Sequence, residues 1–166
     1  MTPLLIHSAT LAGKQVFLIG LFILLFFAAG FAQTAANAAP AVKEADAILG
    51  DWLTENGKGR VRIFKTKTGQ YVGKIIWLRE PNNESGTPKV DRNNPDEALR
   101  TRPIIGLFVL RDFSYDAANV WHNGKIYDPE NGNDYSCTLT MVAPGKLEVR
   151  GYIGVSLFGR TSVWTR

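Results

Sequence analysis

Asp91, Asn93, Asn94, Arg100 and Arg102 crowd into one short stretch, and their types suit the capture of an anion. A guanidinium fork meets a carboxylate or phosphate at two points, so Arg100 and Arg102 together read as a clamp for such a group. The same residues have an internal reading. Asp91 or Asp96 would pair with the arginines, and the Asn side chains would cap the loop backbone. Internal pairing is the simpler account, because turns and caps routinely use these residue types.

Four aromatics form a second group. Tyr71, Trp77, Tyr127 and Tyr135, with Arg102 as a charged tip, are the candidate ligand-binding residues. Aromatic walls with a few polar groups suit a small-molecule site. The same side chains also suit a barrel filled to its axis, and both readings stay open. The run from Asp128 to Asp134 is rich in oxygen ligands of the kind calcium takes. Counted from Asp128, however, glycine does not fall in the sixth place, and a hairpin turn explains the run. His122 follows Trp121 in an expected loop, with no nucleophile placed beside it by spacing. Cys137 falls on the apolar side of its strand and reads as an inert core thiol. One Cys and one His in the body of the chain cannot fill a tetrahedral zinc site. No catalytic residue, metal site or cofactor is expected.

The elements that must position these groups are strands. Short β-branched and aromatic runs recur between Gly, Asn and Pro, which points to an all-β sandwich or barrel. They are expected near 50–55, 59–66, 70–79, 106–115, 124–128, 134–142, 146–154 and 160–165. Asn131-Gly132 predicts a type I′ hairpin turn. Period-two alternation puts Tyr135, Cys137, Leu139 and Met141 on one face and Ser136, Thr138 and Thr140 on the other. The third strand is apolar on both sides at Ile75-Ile76-Trp77-Leu78, so its outer face needs a cover. The long excursion from Glu80 to Arg102 is the nearest candidate. Within it, Asn94-Pro95-Asp96-Glu97 predicts a short helix over 95–100, ended by Arg102-Pro103.

The 166-residue chain opens with a lone basic residue, Lys14, then an apolar run from Val16, then small residues. These are the parts of a secretory signal peptide over 1–38, with Ala36-Asn37-Ala38 as an A-x-A cleavage site and Gly30-Phe31-Ala32 as an earlier one. A membrane anchor is the alternative, although the run falls short of the roughly 20 residues a spanning helix needs. Residues 39–47 read as a flexible connector and 48–166 as one domain. The formal charge of +4 loses only Lys14 on cleavage. A modest basic excess suits anionic envelope surfaces. An exported chain of this kind has no expected nucleic-acid partner and no stable membrane span after cleavage.

Gly50-Asp51-Trp52 resembles the calycin signature of lipocalins and fatty-acid-binding proteins. That resemblance implies that Trp52 packs across the closed end of a barrel against a basic side chain of the last strand, Arg160 or Arg166. The wider pattern is similar to a secreted bacterial family, domain of unknown function 2147 (DUF2147). It is carried by Tyr71-Val72-Gly73-Lys74-Ile75-Ile76-Trp77-Leu78, Asp91-Arg92-Asn93-Asn94-Pro95, Leu99-Arg100-Thr101-Arg102-Pro103, Gly124-Lys125-Ile126-Tyr127-Asp128-Pro129 and Gly159-Arg160-Thr161 with Trp164. It implies an exported, lipocalin-like, up-and-down antiparallel barrel of about eight strands, closed through Gly50, Trp52 and Arg160. Many members carry a Cys where this chain has Val72, so the family's redox or disulfide roles do not transfer. The expected function is non-enzymatic binding of a small amphipathic or hydrophobic molecule. The alternative is a filled barrel that contacts another envelope component.

Overall fold

A computed structural model describes residues 44–166. The expected leader, and the connector up to residue 43, lie outside the described residues. Eight strands run antiparallel in chain order: β1 (Gly50–Leu53), β2 (Gly59–Lys65), β3 (Tyr71–Leu78), β4 (Phe108–Tyr115), β5 (Val120–Asp128), β6 (Asn133–Ala143), β7 (Lys146–Tyr152) and β8 (Gly159–Thr165). They close into an up-and-down barrel, with β8 returning to β1 through Leu53 opposite Thr165.

Alternation drives the closure. In β2, Val61 and Ile63 are buried while Arg60 and Arg62 face water. In β6 and β7, Cys137, Leu139, Leu147 and Val149 are buried on the inner side. A ring of apolar faces has one way to leave water, which is to turn inward together. The Phe113 ring lies so close to Gly124 that a Cβ there would collide with it. That is why a glycine interrupts β5.

β5 begins earlier than its residue types suggest. Val120 and Trp121 already pair with Thr140 and Leu139. A register shift between Trp121 and Gly124, with Asn123 at φ 61°, re-aims the strand. His122 therefore sits in a strand and not in a loop.

The chain enters across one end of the barrel. Residues 44–49 are expected in part as connector, yet Ala45 and Ile48 are buried. The Trp52 indole donates to the Ile48 carbonyl at 2.8 Å, and the Trp121 indole donates to that of Ala45 at 3.1 Å. Arg166 donates to the carbonyls of Leu49 (2.7 Å) and Ala47 (2.9 Å), and its guanidinium lies 4.4 Å from the Trp52 ring centre. Arg166, not Arg160, is thus the basic partner of the closing Trp. Arg160 is exposed, one strand-length away opposite Gly151. Gly50 turns the chain at φ +116°, a value that only glycine adopts easily.

The excursion between β3 and β4 carries no α-helix. Residues 97–99 make a single 3₁₀ turn, capped by Asp96 accepting from the Ala98 amide at 3.0 Å. Asn94 Oδ1 accepts from the Asp96 amide at 2.9 Å, while its Nδ2 donates to Asp91 and Tyr127. So short a segment cannot repay helix nucleation on its own. The excursion does not seal the outer face of β3 either, since Trp77 remains 41% exposed. The 128–134 turn also departs from type I′, because Gly132 has positive φ and Asn131 does not. A Cβ on Gly132 would strike the Asn93 backbone, so this turn is shaped by the excursion seated on it.

Candidate functional site

Asp91 is fully buried and holds the excursion to the barrel wall. The Tyr127 hydroxyl donates to its Oδ1 at 2.7 Å. Its Oδ2 accepts from Asn94 Nδ2 at 2.8 Å, and from Arg102 Nε and Nη2 at 3.0 and 2.9 Å. Burial, and then the bond to Asp91, push the Tyr127 phenol up to about 12, so it stays a donor at neutral pH. Arg100 is spent locally, on the Asn94 carbonyl (2.8 Å) and on Glu97 (3.0 Å). The arginines are therefore paired within the excursion, and the Arg100–Arg102 clamp does not form.

Beside this network the excursion stands off from the wall and leaves a cleft of about 530 Å³. Its polar lining is Asn94, Arg102 and Tyr127 with Arg111 and Asp134. Leu99, Ile105 and Phe108 line it and are each more than a third exposed. Arg111 bonds Asp134 through Nη2. Its Nε–H is shut away from water and has no acceptor among the described residues. Arg111 keeps 38% of its side chain exposed, and that accessible part, not the buried Nε–H, is what an acceptor in the cleft would meet.

A family model described as "Uncharacterized protein conserved in bacteria (DUF2147)" matches residues 50–166. The chain belongs to the DUF2147 family. A search of curated proteins finds no match. Among solved structures, this DUF2147 chain is similar to protein HP1028 from the human pathogen Helicobacter pylori, described as belonging to the lipocalin family. The TM-score is 0.63 at 23% identity, over 72% of this chain and 82% of that one. The likeness extends to the lipocalin-like barrel and no further.

The expected ligand-binding residues of this DUF2147 barrel do not converge. Arg102 and Tyr127 both line the cleft. Tyr71 is buried at the closed end, where its hydroxyl donates to Asp46 at 2.7 Å. That bond, and then Lys65, hold the Asp46 carboxyl below its usual range. Trp77 lies on the outer wall, and the Tyr135 hydroxyl accepts from Asn131 Nδ2 at 3.0 Å in the 128–134 turn. Arg111, Asp134 and Phe108 are cleft residues that the sequence did not disclose. Each sits in a strand whose register alone brings it to this wall.

Cys137 is fully buried, and burial pushes its thiol up to about 12. Native protein is expected to resist a disulfide thiol reagent at about pH 8, and the denatured chain to react fully. Ready labelling of the native fold would mean that the bore opens. His122 Nε2 lies 3.5 Å from the exposed carboxylate of Asp116, and no nucleophilic side chain bonds to it among the described residues. Among those residues there is also no cluster of His, Cys, Asp and Glu suited to a metal, and no helix long and apolar enough to cross a membrane.

Proposed function

We propose that this chain is an exported, non-enzymatic envelope protein that holds a small amphipathic molecule with an anionic head. The seat is the outer-wall cleft and not the bore. One observation carries this reading. The cleft joins an apolar rim to two cationic side chains, Arg102 and Arg111, that are 39 and 38% exposed. Its volume lies within the range of roughly 300–1,000 Å³ usual for small-molecule sites. In the cleft an anionic head would accept from Arg111 while a short apolar tail lay against Leu99, Ile105 and Phe108. Export rests on the charged, apolar and small-residue parts of the leader.

The test is displacement of a fluorescent fatty acid from purified protein. Arg111→Met is expected to weaken binding by roughly tenfold or more, the worth of a charge-assisted hydrogen bond. Equal affinity in the variant, with its fold intact, would remove the cleft from consideration.

A further inference from the structure

The loop between β7 and β8 presents Ile153, Val155, Leu157 and Phe158 at 74, 60, 79 and 78% exposure. Four large apolar side chains this open within six residues are not the scattered exposure that ordinary surfaces show. They are not awaiting collapse onto the barrel either. Arg150 reaches up from β7 and donates to the Ser156 carbonyl through Nε (3.0 Å) and Nη2 (2.6 Å), and to Thr161 Oγ1 at 2.8 Å. The loop is thereby held in a 3₁₀ turn at 156–158, with its apolar side chains pointing to solvent.

We infer that this loop is a membrane-docking tip that inserts into the interface of a bilayer bearing anionic lipid headgroups. Shape and charge choose this occupant. The apolar groups form a protruding tip and not a groove, which suits entry into a soft planar interface. From Val149 to Val163 the chain holds Arg150 and Arg160 and no carboxylate. Arg160 is exposed just below the tip, at the height where lipid phosphates would lie. Other loops at this end do carry acids. Glu130 is paired with Lys58, Glu80 with Lys89 and Glu97 with Arg100, whereas Glu55, Glu84 and Asp96 are exposed. The inference is independent of the cleft.

Sedimentation with vesicles tests it. All eight strands and the core lie within residues 44–166, so a chain beginning at Ala39 keeps the barrel and removes the apolar leader from the experiment. Wild type is expected to pellet with vesicles of phosphatidylglycerol and phosphatidylcholine, and less with phosphatidylcholine alone. Leu157→Ser with Phe158→Ser should lower the bound-to-free ratio by at least roughly tenfold. Arg160→Gln should lower it more mildly, and only at low salt. The double variant should keep the wild-type melting temperature, since both side chains are exposed. Failure of the wild type to pellet, or equal pelleting of the double variant, would overturn the inference. So would a concentration-dependent dimer that the double variant abolishes, which would assign the loop to a second copy of the chain.

Discussion

Asp91→Ala is expected to cost about 3 kcal/mol of stability, near the low end of the 3–5 found when one member of a buried pair is lost. Two groups set that figure. The Tyr127 hydroxyl would lose its acceptor in a dry site, and the Asn94 amide would lose one of its two acceptors and keep its bond to Tyr127. The guanidinium of Arg102 is 39% exposed and regains water, which keeps the loss from being larger. For a domain of this size the melting temperature should fall by roughly 10 °C. The excursion would come away from β5, and with it the cleft. Ligand affinity should therefore be lost alongside stability, whereas Tyr127→Phe should cost about 1 kcal/mol and leave the cleft in place. Thermal and urea unfolding check both variants. An Asp91→Ala protein within 1 kcal/mol of wild type, as roughly the worth of a single ordinary hydrogen bond, would show that the excursion is held by something else.

Trp52→Ala is expected to cost about 3–5 kcal/mol, the usual loss for emptying the space of a large buried aromatic. Its side chain is fully buried, donates to Ile48 and carries Arg166 on its face. Removing it loosens three contacts of the entering segment at once, so exchange at the amides of 45–49 should rise with the fall in stability. Trp52→Phe keeps the packing and loses the indole bond, and should cost about 1–2 kcal/mol. Urea unfolding and amide hydrogen exchange separate the two. If exchange at 45–49 is unchanged in Trp52→Ala, the entering segment does not depend on this ring.

The fold was legible in the chain to a large degree. Alternation in β6 and β7 is a local pattern that gives an all-β sandwich or barrel, and the resemblance that begins at Gly50-Asp51-Trp52 is what implies the barrel. The start of β5 was not legible, because a bulge at Asn123 breaks the period-two rhythm that marks a strand. The predicted helix over 95–100 stops at one turn although Asn94 caps the backbone, its Oδ1 accepting from the Asp96 amide at 2.9 Å, because so short a segment does not repay helix nucleation. Asp91 pairing with Arg102 was legible, since both belong to one short excursion. Arg111 and Asp134 were not, because they meet through the stagger of β4, β5 and β6, a quantity no single sequence states. Arg160 and Arg166 both lie at the end of the chain, and only the register of β8 decides which one reaches Trp52. Ile153 and Gly154 read in the sequence as the end of the seventh strand, and the exposure of the apolar tip at 153–158 emerges only once the barrel closes below it.

The site of binding is tested most directly by recording amide spectra of the ¹⁵N-labelled barrel during titration with dodecanoate below its micelle concentration. Saturable shifts are predicted at Leu99, Ile105, Phe108, Arg111 and Asp134, while the inward-facing Leu139 and Val149 stay still. Shifts confined to the inner positions Ile126, Tyr135 and Gly151, or no saturable change anywhere, would contradict an outer-wall seat for the ligand.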